Sequence, residues 1–513
     1  IAALASSSPA AEEPDLAEAM SGDVIFSDNS DVVDVHEFDD SKSFFDTVSG
    51  SALNKSLVLK AMDEEVQYMK RLPVWDLNRS WETVAAATAD LGKVHASVYT
   101  KWVLTNKRDD RNPDIRARLV ACEVKGKSPS LQEYFSATPP LEALRIMVAL
   151  ASQDRSLHFN FSDVRKAHLN GHAKRVVIVK LQNEVSEEQG GKWVLLLRSL
   201  YGTRDAAACW EAEIEVVFLD LGFTRGLCSP ALWFHKERNI RCLIHGDDVV
   251  TLAIPSQLAW CREQVAKAWL MSERGVLGPD AQARNCTLIR ILNRIISVTS
   301  SGYEWEADSR HVDILTRGLS RPVSTPGTKS DLPKGDVSGW SGGGVLDVSK
   351  VGSVEGREWS SSLDSTKTGV VVDAEGVDDE EDALLSASDA YLYRSLVMRG
   401  AYLSLDRVDI AYSVKELARA MSAPRRSDVV RFKRLGRYLL QAGRVVIRYD
   451  WSRPSDVLTC ECDADFASCR VSRKSTSGLF VCRGTSFVKF SSKAQATIAL
   501  STQERRVLQY REL

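Results

Sequence analysis

The chain has 513 residues, 44% hydrophobic and 26% charged, enough to bury a sizeable core in about three domains. No apolar run reaches the roughly 18 residues of a membrane-spanning helix, and ten cysteines without zinc-like Cys-x-x-Cys spacing exclude a disulfide scaffold and point to a reducing compartment. The net charge of −3 conceals an uneven distribution: residues 1–40 hold 11 acidic and no basic side chains, residues 321–388 hold 13 acidic against 6 basic, and the rest carries +15. A basic body beside acidic segments suits an anionic partner, nucleic acid foremost, although arginines decorating a soluble surface would give the same balance.

In chain order, residue 1 is Ile rather than Met and no basic-then-apolar leader follows, so the chain reads as a fragment or processed piece. Residues 1–50 are Ser-, Ala- and acid-rich and are expected to be a disordered tail. Helical periodicity begins near 55 with Leu57, Met62, Val66 and Met69, and globular text continues to about 320. Residues 321–388, with the run Ser341-Gly-Gly-Gly344 and the acids from Asp378 to Asp382, have the composition of a linker or insertion. Helical periodicity resumes from Tyr391 to Leu440. Three strands are then expected, around 457–462, 478–482 and 486–490, with a helix from about Thr497.

Two short segments carry the chemistry. Cys242-Leu-Ile-His-Gly-Asp-Asp-Val-Val-Thr251 is strand, short turn, strand, which puts Asp247 and Asp248 at a hairpin apex. The other Asp-Asp pairs, at 39–40, 109–110 and 378–379, sit in charged surroundings and read as solvated. His158-Phe-Asn-Phe-Ser-Asp163 alternates like a half-buried strand that delivers Asp163 at its end. Three carboxylates on adjacent strand ends could hold two Mg2+ ions for nucleotidyl transfer, or they could be unrelated acidic turns. Oxygen donors without a His/Cys cluster favour magnesium over zinc.

Successive motifs narrow this. Lys101-Trp-Val-Leu, Arg116-Ala-Arg-Leu-Val120, Ser162-Asp-Val-Arg-Lys-Ala-His-Leu-Asn-Gly171, Ser199-Leu-Tyr-Gly202 with Trp210, and His245-Gly-Asp-Asp248 occur in that order. Together they resemble the reverse transcriptase of copia-type retrotransposon Pol polyproteins. Glu306-Ala-Asp-Ser-Arg-His311, Asp409-Ile-Ala-Tyr-Ser413 and Arg434-Leu-Gly-Arg-Tyr438 resemble that family's connection region. Cys462-Asp-Ala-Asp-Phe-Ala467, Arg473-Lys-Ser-Thr-Ser-Gly478 and Ser492-Lys-Ala-Gln495 with Ala499-Leu-Ser501 resemble the start of its ribonuclease H domain.

The resemblance implies an α+β right-hand polymerase: fingers and palm over 51–320, a helical connection over 389–450, and a truncated ribonuclease H-like α/β tail over 451–513. It implies RNA-directed DNA polymerase activity on an RNA or DNA template-primer with dNTPs. Two Mg2+ ions would assist, with Mn2+ as a substitute. Asp163 and Asp247 would be direct metal ligands, Asp248 a supporting one, and the Val164 carbonyl a further ligand. Arg116, Arg118, His168, Tyr201 and Gly202 would line the dNTP site, Arg116 and Arg118 being alternatively plain strand charges. His245 and Gly246 would lie beside the primer end. Residence would be cytoplasmic, in virus-like particles, and nuclear, without membrane attachment, beside other polyprotein products.

The chain departs from the family pattern at several points. His168 stands where an aromatic residue usually supports the sugar, and His245 replaces a Tyr. Thr203-Arg-Asp-Ala-Ala207 replaces Leu-Lys-Gln-Ala-Pro. In the ribonuclease H remnant Asp463 and Glu504 match the pattern, but Arg506 takes the position of the second catalytic carboxylate, so ribonuclease H activity is not expected. Finally, Arg425, Arg426, Arg431, Lys433, Arg434 and Arg437 form a basic cluster in which Arg426, Lys433 and Arg437 share a helical stripe. That stripe suits a nucleic-acid backbone contact, and equally a solvated helix face. The rival readings are a catalytically inactive decayed copy and a nucleic-acid-binding relic, with a nuclease on the same carboxylates more distant.

Overall fold

The computed structural model describes residues 43–108, 111–124, 136–185, 188–327, 382–469 and 472–511. The first elements are β1 (Phe44–Phe45), β2 (Ala52–Leu53), α1 (Lys55–Arg71), α2 (Val84–Leu91), β3 (Ala96–Asn106) and β4 (Ile115–Ala121). Next come α3 (Leu141–Gln153), β5 (His158–Val164), β6 (Val177–Lys180), β7 (Trp193–Leu195) and α4 (Ala206–Asp220). Then follow β8 (Thr224–Arg225), β9 (Leu232–His235), β10 (Ile240–His245), β11 (Asp248–Ala253), α5 (Pro255–Ala268) and β12 (Met271–Leu277). The later elements are β13 (Leu288–Ile291), β14 (Arg294–Val298), β15 (Gly302–Ala307), α6 (Ser309–Thr316), α7 (Ala387–Leu403), α8 (Val408–Arg419) and α9 (Arg426–Gln441). The last are β16 (Val446–Asp450), β17 (Leu458–Ala464), β18 (Thr476–Arg483), β19 (Ser486–Ala494) and α10 (Thr502–Arg511).

The chain divides into two compact units, Ile1–Pro140 with Phe159–Gly275, and Leu141–His158 with Val276–Leu513. The first holds a six-stranded sheet in the order β12-β5-β11-β10-β9-β8 and a four-stranded sheet in the order β4-β3-β6-β7. In the second sheet β3 pairs parallel to β6 and antiparallel to β4. Helix α1 buries Val58, Met62, Val66 and Met69, one apolar stripe at helical spacing. Asn54 caps it, its side chain accepting from the backbone of Ser56 at 3.0 Å and Leu57 at 3.2 Å. The stripe's upper half joins Trp75, Leu119, Leu169, Val177, Val179 and Val194 in the main core of this unit.

In the second unit β13-β14-β15-β16 form one sheet and β17-β18-β19 another. Helices α6 to α9 close a core around Tyr393, Leu396, Ile410, Phe432, Leu435 and Leu439. A buried carboxylate, Asp406, accepts from Arg145 at 2.9 Å, Arg294 at 3.0 Å and the Trp305 indole at 2.9 Å. With two guanidiniums and an indole on one carboxylate, the charge is compensated where water cannot reach it.

Four sequence expectations change here. Order begins before residue 50: Phe44 packs against Val58 and Met62, and the Asp46 carboxylate accepts from the backbone of Val48 and Ser49 at 2.8 Å and of Asn106 at 2.6 Å. Residues 1–42 of the expected tail lie outside the described residues, as do 328–381 of the expected linker and all three of the other Asp-Asp pairs. The linker's described end is already helical from Ala387, with Ser386 as cap, where the sequence suggested Tyr391. Strand β5 is buried at six of its seven positions rather than at alternate ones. It is an interior strand, with β11 and β12 on its two edges, and side chains on both of its faces are buried, His158, Asn160 and Ser162 as well as Phe159 and Phe161. The last helix starts at Thr502 instead of 497. Glu504 and Ser501 make a cap there, the Glu504 N–H donating to Ser501 Oγ at 3.0 Å and the Leu500 N–H to Glu504 Oε2 at 2.7 Å.

Candidate active site

The site is built where β5 ends beside the β10–β11 hairpin. The hairpin apex is a two-residue turn of Gly246 and Asp247, closed by the pairing of His245 with Asp248. Gly246 has φ +60°, the left-handed value that the first position of a type II′ turn requires and that glycine adopts without strain. The Val164 N–H donates to the Asp247 carbonyl at 2.9 Å, which fastens the end of β5 to the turn. On the far side the Trp210 indole donates to the Gly246 carbonyl at 2.7 Å. Three carboxylates, Asp163, Asp247 and Asp248, thereby gather at neighbouring strand ends.

Their electrostatics are strained. Burial is the largest influence on Asp163, the charge of Asp247 adds to it, and Asp248 and a hydrogen bond with Asp247 push the same way. Arg274 opposes, and the carboxyl is pushed up to about 7. Arg274, on β12, was not singled out in the sequence. Its Nη2 lies 3.5 Å from Asp163 Oδ1 and 3.2 Å from Asp248 Oδ1. Among the described residues no three His, Cys, Asp or Glu side chains are disposed as a ready metal cage. The donor chemistry nevertheless fits a hard divalent cation: clustered, half-buried carboxylate oxygens whose mutual repulsion a cation would relieve.

Around this cluster the predicted nucleotide-site residues are brought together. His168 lies on the short 3-10 turn Ala167–Asn170 after β5, its ring 5.9 Å from that of Tyr201. Burial holds its imidazole below the usual value, Arg118 adds to this, and Asp247 pulls the other way, so the ring is neutral at neutral pH. Arg118, facing Val103 across β3–β4, stands 5.5 Å over the Tyr201 ring, and Arg116 follows two residues earlier opposite Thr105. The Ala121 N–H donates to the Tyr201 carbonyl at 2.7 Å. Gly202 is required there: its φ is +82°, and a Cβ would lie 2.0 Å from the Ala121 carbonyl oxygen.

Two further ion clusters hold the site's scaffold and were missed in the sequence. Lys166, in a left-handed conformation, pairs with buried Glu65 of α1 and lies 4.2 Å over Tyr68. Arg175 pairs with Glu123 at 2.9 Å and Asp205 at 2.6 Å, all three side chains buried. Glu123 also accepts from the Arg204 backbone at 2.9 Å. Within Thr203–Ala207, where the sequence departs from the family pattern, the Asp205 charge is thus compensated by Arg175. No periodicity could have announced these pairs, because their partners are 30 to 101 residues apart in the chain.

The outlying candidates are placed differently. Asp463 is exposed on β17, and Glu504 is engaged in capping α10. Lys433 is buried, so the stripe expected with Arg426 and Arg437 does not reach solvent as a unit. Arg434 donates to Thr325 Oγ1 at 2.8 Å and Arg437 to the Arg321 carbonyl at 2.6 Å, so these two arginines hold the chain just before residue 328. Arg426 is exposed.

The mixed α+β unit that holds these three strand-end carboxylates includes a stretch similar to a known family. Residues 80–278 match the family model described as reverse transcriptase (RNA-dependent DNA polymerase). The chain is 24% identical over 453 residues to the retrovirus-related Pol polyprotein from transposon RE1 of Arabidopsis thaliana, covering 83% of this chain and 26% of that protein. The corresponding polyprotein from transposon RE2 is 27% identical over 182 residues, 34% of this chain and 12% of its own. An uncharacterized mitochondrial protein of the same plant is 32% identical over 113 residues, 22% of this chain and 46% of its own. Residues 80–278 therefore carry a reverse transcriptase domain, and the chain is similar to copia-type retrotransposon Pol polyproteins. It spans about a quarter of the RE1 polyprotein's length. Among the described residues no helix is long and apolar enough to cross a membrane.

Proposed function

We propose that this chain extends a primer on an RNA or DNA template by two-metal nucleotidyl transfer. The observation that carries the reading is the fastening of β5 to the Gly246–Asp247 turn, which sets Asp163 beside Asp247 and Asp248. Asp163, Asp247 and the Val164 carbonyl would hold Mg2+, with Asp248 in support. Bound there, Mg2+ supplies the charge that lowers the pKa of the primer hydroxyl and stabilises the leaving pyrophosphate.

The chain's own residues have the remaining tasks. The forked donors of Arg116 and Arg118 suit triphosphate oxygens. His168 and Tyr201 wall the pocket against the sugar, the neutral imidazole giving a small flat floor, and Gly202 keeps the wall thin where a side chain would not fit. His245 and Gly246 face the primer end. In this reading 51–320 forms fingers and palm, 389–450 the connection, and 451–513 a ribonuclease H-like tail without its own cleavage activity. Residence is cytoplasmic, in virus-like particles, and nuclear.

The alternative is a nucleic-acid-binding relic without chemistry, favoured by His168 and His245 at positions where the family has other rings. Primer extension on poly(rA)/oligo(dT) with Mg2+ separates the two. Extension by the chain and none by Asp247→Asn/Asp248→Asn supports polymerase function. Template-primer binding without extension in either protein supports the relic.

A further inference from the structure

Arg274 has no role in the reading above, yet its guanidinium is in ion-pair contact with the carboxylate cluster. One nitrogen, Nη2, reaches both Asp163 and Asp248, at 3.5 Å and 3.2 Å. Its neighbour Glu273 pairs with Arg262 at 2.9 Å. The Arg274 side chain is 31% exposed, against 18% for Asp163 and 14% for Asp248, so it is the most solvent-accessible of the three.

We propose that Arg274 is a tethered counter-ion of the catalytic carboxylates, which a divalent cation must displace and which therefore sets the concentration of metal the site needs. This rests on the polymerase reading of Asp163, Asp247 and Asp248. A guanidinium stays charged at any physiological pH, so pH does not remove it. A small divalent ion takes carboxylate oxygens at about 2.0–2.1 Å, and a positive charge held on the same oxygens opposes its arrival. In return, Arg274 offsets the repulsion among three neighbouring carboxylates when divalent ion is scarce. Arg274 is thus a positioning residue, acting on the reaction through the charge of the cluster.

Mn2+ binding to the full chain, followed by the loss of the free-ion electron paramagnetic resonance signal, tests this without recourse to activity. Arg274→Gln is expected to tighten Mn2+ binding on the order of tenfold, and Arg274→Lys to stay near the parent value. A folded Arg274→Gln, judged by circular dichroism, that binds Mn2+ no more tightly than the parent overturns the proposal. Asp163→Asn/Asp247→Asn is the control for the underlying reading. If it binds Mn2+ as the parent does, the carboxylates are not the metal site and both readings fall; if it loses binding while Arg274→Gln is unchanged, only the counter-ion proposal falls. A second measurement needs no variant: phenylglyoxal should modify Arg274 faster when Mn2+ is present, read by peptide mass spectrometry. Protection or an unchanged rate contradicts displacement.

Discussion

Replacing Arg175 by Met would leave Glu123 and Asp205 as adjacent buried carboxylates, their side chains only 3% and 8% exposed. The parent arrangement gives Arg175 four contacts, Nε and Nη2 to Asp205 at 2.8 Å and 2.6 Å, and Nη1 and Nη2 to Glu123 at 3.0 Å and 2.9 Å. Removing one partner of a buried ion cluster costs about 3–5 kcal/mol, because uncompensated charge stays behind. For a unit of this size that corresponds to a fall in melting temperature of about 10 °C. Burial works against ionisation of Asp205, but its hydrogen bonds with Arg175 and the guanidinium charge outweigh it and hold the carboxyl below the ordinary value. The Asp205 contribution is thus fully present above the unfolded value of about 3.9 and is lost as pH falls through the folded one. Thermal unfolding at neutral pH and again near pH 2, below the ordinary carboxylate range, measures both effects. Arg175→Met/Glu123→Gln/Asp205→Asn, in which no buried charge is stranded, should regain most of the loss. A single variant within 1 °C of the parent would refute the claim that this cluster carries the Thr203–Ala207 turn.

Further outcomes follow from the same geometry. Asp163 titrates near 7 when folded and near 3.9 when unfolded, so the folded chain binds more protons between these values and stability falls as pH rises through that window. Asp163→Asn should therefore be more stable than the parent at pH 8 in EDTA, on the order of 2 kcal/mol, while losing nucleotide addition; a lower melting temperature there would count against the strained cluster. Gly202→Ala should destabilise by on the order of 3 kcal/mol, since it joins a positive φ to a backbone clash, and a neutral substitution in urea unfolding would contradict the close approach to Ala121. Glu504→Ala should cost about 1 kcal/mol through its helix cap and leave ribonuclease H activity absent in both proteins. Arg426→Ala should lower the salt slope of template-primer binding by about 1 and Lys433→Met should not, as gel-shift titrations across salt would record.

The hairpin carrying Asp247 and Asp248 was legible because its signals are local: a Gly-Asp turn between two apolar strands, within ten residues. Helix α1 was legible for the same reason, its stripe and cap lying within one segment. What escaped depends on partners brought from elsewhere. The position of β5 was readable, but the burial of polar His158, Asn160 and Ser162 beside Phe159 and Phe161 runs against the alternation and depends on parts of the chain packed onto the sheet from outside this segment. Arg274 is 111 residues from Asp163, and an arginine on a strand bears no mark of the carboxylate it will meet. Lys433 looked like part of a basic stripe because helical spacing says which residues share a face, not whether the face is covered.

The central claim is that the carboxylates gathered where the Val164 N–H donates to the Asp247 backbone carbonyl support nucleotide addition. The most direct measurement is single-turnover addition of dTMP to oligo(dT) on poly(rA), with template-primer binding recorded on the same samples. The account predicts Mg2+-dependent addition by the parent chain, abolished by EDTA and by Asp163→Asn with binding retained. Addition that persists in Asp163→Asn, or a folded parent chain that binds template-primer and adds nothing, would contradict it.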